Sequence, residues 1–243
     1  MPMKIDQAPE SVVRLTDRVY YLPHFEPTDR PILGYVRGDR YSLASDAGAS
    51  PAHVSNFYRA LDAEGLPHPT YTVLTHWHWD HAFGMSCVEG ATVASCATNE
   101  LLAEEARLSA IDETYWDGMR RETRGFADEY PIGSIPTIVQ SDIQFEDTLT
   151  FDLGGVEVRL FRSVAPHTDD SVLVHIPQER VVFLGDSVYG MCDEQGEHSV
   201  DRTKLEVLAA TVRGLDCEWF AQGHWEPLDA VGIEEDLDPV EEQ

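Results

Sequence analysis

Apolar positions along the chain come in short runs rich in β-branched and aromatic residues, each bounded by turn formers, and they predict strands at 12–15, 19–22, 32–36, 41–45 and 71–74. Longer spacings interrupt them. A helix is predicted over 51–64, and a second over 98–119, where Leu101, Leu102, Ala106 and Ile111 fall at helical intervals behind Thr98 or Asn99 as cap. Strand-like runs return at 149–151, 156–161, 171–176 and 181–184, followed by a helix over 200–213 and a last strand near Trp219.

The order sheet, helix, sheet, helix is expected, each half repeating the other. No sequence repeat, low-complexity linker or charge block separates the halves. A chain of 243 residues with 42% hydrophobic content can bury one sizeable core, so residues 1–243 are expected to form a single domain. Two stretches stand apart. A Gly/Pro-punctuated segment at 117–136 reads, with the residues before it, as an insertion at about 104–136 near the rim of the fold. The acidic end, GIEEDLDPVEEQ, reads as a solvated tail.

Charge narrows the partners. The formal net charge is −27, from 44 acidic and 17 basic residues, so the surface should repel polyphosphates and anionic membranes. Nucleic acid and membrane are therefore disfavoured, a small-molecule substrate is expected, and a homodimer is left open. No segment approaches about 18 uninterrupted apolar residues, and the first residues hold no apolar stretch of signal-peptide length, which points to the cytoplasm. Cys87, Cys96, Cys192 and Cys217 lie scattered without a CxxC pair, a pattern of reduced core thiols rather than of disulfides or a Cys-rich zinc site.

Candidate chemistry concentrates in "THWHWDH", residues 75–81. Crowded imidazoles repel once protonated and need a shared partner, which a metal ion supplies. The run YTVL ends a predicted strand, so His76, His78, Asp80 and His81 sit on the loop leaving its C-terminal end, where open α/β sheets present ligands. His76 and His78, two apart on extended backbone, point to the same side and can share one ion. Asp80 and His81 fall beyond the turn and can supply a second. Three more groups end apolar runs in the same way: His167 after EVRLF, Asp186 after VVFLG and His224 after EWFAQ. If these strand ends share a rim, the five imidazoles and two carboxylates suffice for two metal ions with room for water.

The succession HxHxDH, then His in a PHTxxS turn, then GD after a strand, then GH near the C-terminus resembles the metallo-β-lactamase superfamily across most of the chain. The resemblance implies an α+β fold, a four-layer αββα sandwich of two mixed β-sheets flanked by helices. Carried over position by position, it implies that His76, His78 and His167 hold one zinc, that Asp80, His81 and His224 hold the other, and that Asp186 bridges them. It also makes Asp46, in SLASDAG, the aspartate that supports the site from behind. Imidazole-rich ligation favours zinc, with iron or manganese as the other candidates.

Departures within the superfamily bear on the reaction. Class B β-lactamases typically carry cysteine where this chain has Asp186, so the site looks more like glyoxalase II, quorum-sensing lactonases and related hydrolases. Tyr189, in DSVY, is similar to a lactonase tyrosine whose hydroxyl assists the reacting carbonyl. The expected function is zinc-dependent hydrolysis of a small ester, thioester or lactone by a hydroxide bridging two ions, with Asp80 and Asp186 offsetting charge and handling the proton. Tyr115, Trp116, Arg120, Arg121, Arg124 and Phe126 of the insertion are expected near the substrate, and Trp77 and Trp79 at the mouth or beneath the loop. The alternatives are β-lactam or phosphodiester hydrolysis, a mononuclear iron sulfur dioxygenase sharing HxHxDH, and a noncatalytic metal-stabilised module. A full set of open ligands exceeds what the last would need.

Overall fold

The computed structural model describes residues 8–192 and 198–238. The first sheet runs in chain order through β1 (Val13–Arg14), β2 (Val19–Leu22), β3 (Leu33–Arg37), β4 (Ser42–Ser45), β5 (Tyr71–Val73), β6 (Ala91–Ser95) and β7 (Ile143–Phe145). Strands β1 to β4 are antiparallel and β4 to β7 parallel. Parallel neighbours need crossovers, and helices provide them: α1 (Pro51–Ala63), α2 (Trp79–Ala82), α3 (Cys96–Ile111), α4 (Tyr115–Glu122) and α5 (Phe126–Glu129). Next come β8 (Thr148–Asp152), β9 (Glu157–Arg162), β10 (Val172–Ile176), β11 (Val181–Gly185), the separate hairpin β12 (Met191–Cys192) and β13 (His198–Ser199), α6 (Arg202–Arg213), β14 (Trp219–Gln222), β15 (Leu228–Asp229) and α7 (Gly232–Leu237). The second sheet has the order β15-β14-β11-β10-β9-β8, in which β11 and β14 pair in parallel and the other neighbours antiparallel.

The sheets meet face to face. Val36, Leu43, Val73 and Val93 from one, and Val158, Leu160, Val174 and Phe183 from the other, share a buried cluster. Outside the first sheet, α1 lays Phe57, Ala60 and Leu61 on Leu33, Tyr35 and Ala44. Outside the second, α6 and α7 lay Leu205, Leu208, Val212 and Ile233 on Leu173, Val182 and Leu184. The fold is thus the αββα sandwich with two mixed sheets. Covered on both faces, β10 and β11 are buried along their whole length, which is why VLVHI and VVFLG do not alternate.

Several elements differ from expectation. The helix predicted over 98–119 is two helices: Ser95, not Thr98 or Asn99, caps α3 by accepting from the Thr98 N–H at 3.0 Å. After Ile111, the Asp112 carboxylate accepts from both the N–H and the hydroxyl of Thr114 at 2.8 Å, a local bond that competes with helix and turns the chain. The acidic end is not all tail, because α7 buries Ile233 and Leu237, while 239–243 lie outside the described residues. Of the cysteines, Cys217 is buried but Cys87 is exposed and so not a core thiol; the Cys192 side chain lies outside the described residues. Among the described residues no helix is long and apolar enough to cross a membrane.

Candidate metal centre

The residues that follow β4, β5, β9, β11 and β14 meet at one rim of the sandwich, and with α2 they bring all seven candidate ligands together. One atom each of His76, His78 and His167 lies within 4.8 Å of the others, and the same holds for Asp80, His81, Asp186 and His224. Local backbone explains the division. His78 is still extended (φ −56°, ψ 149°), after which the chain winds into α2 and carries Asp80 and His81 to the second group. Asp186 lies between the groups. Its Oδ1 is 3.3 Å from His81 Nε2, and its Oδ2 is 3.4 Å from His224 Nε2 and 3.5 Å from His167 Nε2. His167 Nε2 is 2.9 Å from His78 Nδ1, and Asp80 Oδ2 lies 3.1 Å from His224 Nε2 and 3.3 Å from His81 Nε2.

Behind the ligands, a hydrogen-bonded layer fixes which ring nitrogens face the centre. Asp46 accepts from the Thr75 N–H at 2.7 Å and from its hydroxyl at 2.9 Å, and its Oδ2 lies 2.9 Å from His81 Nδ1. The Thr75 hydroxyl is 3.1 Å from His76 Nδ1, and His167 Nδ1 faces the Gly190 carbonyl at 3.4 Å. With Nδ1 engaged on His76, His81 and His167, their Nε2 atoms are left for the centre. His76 Nε2, His81 Nε2 and Asp186 Oδ1 are buried without a hydrogen-bond partner. Buried polar atoms are ordinarily satisfied. Imidazole nitrogens and carboxylate oxygens converging in this way fit divalent metal ions.

Comparison with known proteins agrees. A model of the metallo-beta-lactamase superfamily matches residues 35–224, from β3 to the last candidate ligand. The chain belongs to that superfamily. Among its relatives, an acyl-coenzyme A thioesterase, MBLAC2 of Gallus gallus, is 26% identical over 175 residues, covering 68% of this chain and 60% of the relative. Among solved structures, the stereoselective inverting sec-alkylsulfatase Pisa1 from Pseudomonas sp. matches with a TM-score of 0.73 at 14% identity, over 94% of this chain but 40% of that one. A metallo-beta-lactamase from Pontibacter korlensis matches with a TM-score of 0.64 at 17% identity, over 93% of this chain and 96% of that one. At such identities the structures show a shared fold, and the chain spans only 60% of the length of the thioesterase relative.

Electrostatics divide this superfamily member's histidines into two kinds. Burial, reinforced by neighbouring imidazoles, holds His76 well below the usual histidine value and lowers His78 to about 4. Burial opposes the charged form of His81 and His224 as well, but the carboxylates override it: Asp186, Asp80 and Asp46 hold His81 well above its usual value, and Asp186 and Asp80 raise His224 to about 10. Reciprocally, Asp80 and Asp186 stay well below the usual carboxylate range despite burial, chiefly because of His81. The second group is thus a coupled set of charges, whereas His76 and His78 of the first are neutral donors.

Tyr189 borders the centre, its ring centroid 6.3 Å from that of His167 and 6.2 Å from that of His224. Its hydroxyl accepts from the His224 N–H at 3.3 Å, and burial raises its pKa. Trp79 is buried against Phe126 beneath the loop, whereas Trp77 packs edge-on to His78. Side chains of the 104–136 segment also pack into the fold. Trp116 and Phe126 are stacked in the core, Arg120 donates to the Tyr130 and Ser134 carbonyls, and Arg124 pairs with Glu26, so these side chains serve the fold. The sequence reading assigned no role to Thr75, though it opens THWHWDH, nor to Asp29, whose Oδ1 lies 3.7 Å from His224 Nδ1. A lone turn aspartate carries no signal for such a position.

Proposed function

We propose that this chain is a binuclear zinc hydrolase acting on a small carboxylic ester, thioester or lactone, with thioesters the leading class. The observation that carries the reading is the pair of ligand groups with Asp186 between them, three of whose buried atoms lack partners. His76, His78 and His167 would hold one ion, Asp80, His81 and His224 the other, and Asp186 would reach both. The relative's thioesterase activity supports the substrate class. Aspartate at 186 in place of cysteine, and a net charge of −27, weigh against β-lactams and nucleic acid. Residues 1–243 would work as one domain, in the cytoplasm, where unpaired thiols such as Cys87 and Cys217 persist.

When bound, the ions supply Lewis acidity and lower the pKa of water from about 16 toward 7. The chain's own groups do the rest. Asp80 and Asp186, held ionised, offset the positive charge, and Asp80, set between His81 and His224, is placed to take the proton. Tyr189 keeps its hydroxyl proton, and because that oxygen accepts from the His224 N–H, the proton is left to donate to the substrate carbonyl oxygen as charge develops.

Elemental analysis after zinc reconstitution, with a panel of ester, thioester, lactone, lactam and phosphodiester substrates, tests this. Two ions per chain are expected, with Asp186→Ala losing the more weakly held one and most turnover. Trace metal would overturn the reading, and one tightly held iron would favour a dioxygenase. Lactam or phosphodiester turnover exceeding the other classes a hundredfold in kcat/KM, about 2.7 kcal/mol, would overturn the substrate class.

A further inference from the structure

Beside the centre, on the His224 side, a groove is lined by His24, Trp225, Val231, Glu226, Glu235 and Asp236 among others. Trp225 directly follows His224 and is 59% exposed, and Val231 is 80% exposed. Large apolar side chains exposed together next to a reactive centre mark a contact surface rather than chance. The Trp225 and His24 rings lie 6.1 Å apart and form one wall, in which His24 Nδ1 is buried without a partner. The other side is acidic. Glu226 is held by the Tyr21 hydroxyl at 2.6 Å and Asp236 by Gln222 Nε2 at 2.5 Å, so two of its three carboxylates are fixed in place.

Among the described residues, no lysine or arginine lines this groove. The nearby guanidiniums are engaged: Arg213, which reaches α7, pairs with Glu234 and Asp238, and Arg124 pairs with Glu26. A phosphate-bearing substrate needs charge-assisted donors, bidentate arginine above all, and would here face fixed carboxylates instead. An uncharged apolar chain suits the site, lying against Trp225 and Val231.

We infer that this groove receives the part of the substrate beyond the reacting carbonyl, and that it selects an apolar, phosphate-free thioester over an acyl-coenzyme A. The inference rests on the thioester reading above, and it sets this chain apart in substrate from the thioesterase it resembles.

Binding of two thioethers that cannot be hydrolysed, S-hexyl-N-acetylcysteamine and S-hexyl-coenzyme A, to the zinc-loaded protein tests it by calorimetry at low and high salt. The neutral probe should bind about tenfold tighter at low salt, with the difference shrinking as salt screens the carboxylates. Trp225→Ala, an exposed truncation that leaves the core intact, should weaken the neutral probe about tenfold, and Glu235→Lys should narrow the gap between probes. Equal or tighter binding of the coenzyme A probe, or indifference to Trp225→Ala, would overturn the inference. Turnover of the matching thioesters separates the two readings. A neutral probe bound through Trp225 with no thioester cleaved would sink the thioester reading and leave the groove as a binding site, whereas cleavage favouring the coenzyme A ester would sink the groove.

Discussion

His81 Nδ1 lies 2.9 Å from Asp46 Oδ2, and Asp46 holds that position with a left-handed backbone, φ 69°. Such a conformation costs free energy in a residue other than glycine, least for Asp and Asn. Asp46→Asn keeps the backbone preference but replaces the carboxylate that orients His81. It should weaken the second ion about 10–100-fold while leaving the ion at His76 and His78 nearly unaffected. Zinc titration against a competing chelator would show this, and unchanged affinity at both sites would remove Asp46 from the centre.

Gly223 should tolerate no side chain. A Cβ there would stand 2.0 Å from Asp186 Oδ1 and 3.0 Å from His81 Cε1, so the buried Asp186 carboxylate would have to shift. Gly223→Ala should therefore displace Asp186, lower bound zinc from two ions toward one and cut turnover at least about tenfold, an amount equal to 1.4 kcal/mol. An unchanged far-UV circular dichroism spectrum would show that the sandwich persists. Full metal content in that variant would contradict the placement of Asp186.

Arg30 and Glu129 form a fully buried pair that ties α5 to the segment before β3, with bonds of 2.6 Å and 3.0 Å and a further bond from Ser50. Removing one partner strands the other's charge. Glu129→Ala should destabilise the fold by about 3–5 kcal/mol, and the double change Arg30→Met with Glu129→Leu should restore much of the loss. Urea unfolding of the three proteins decides. A double variant no more stable than Glu129→Ala would show that the two charges are not coupled.

His53, buried on α1, is held well below the ordinary histidine value of 6.5 by burial and then by Arg30. The sign follows from proton counting. The unfolded chain protonates His53 first, so stability is fully present above about pH 6.5 and is lost as pH falls from there toward the folded value, by up to about 1.4 kcal/mol per pH unit. His53→Gln should flatten this acid limb in the metal-free protein. Denaturation midpoints measured between about pH 5 and 7.5 would test it, and parallel curves for both proteins would exclude His53 as a source of the slope.

Several features were legible in the chain itself because they depend on neighbours in sequence. Apolar runs at β10 and β11 read as strands, Pro51 behind Ser50 opened α1 close to its predicted start, and the candidate ligands followed the ends of apolar runs. Strands β6 and β7 were not predicted. ATVAS and IQF are short and mix polar with apolar residues, and their strand character comes from parallel pairing with partners far along the chain. The break between α3 and α4 was likewise hidden, because helical spacing continues across it and a single Asp112 side chain ends the helix.

Which residues could serve the centre was readable along the chain, because side-chain chemistry sets donor types and extended backbone sets the alternation of His76 and His78. What those donors do together depends on how the sheets pack. That packing set Asp186 between the two groups, turned Thr75 and Asp46 to hold the His76 and His81 rings, and sent Arg120, Arg124 and Phe126 to the fold while leaving Trp225 beside the site. These relations join residues scores of positions apart, and the register and packing of two sheets that determine them are written in no single stretch of the chain.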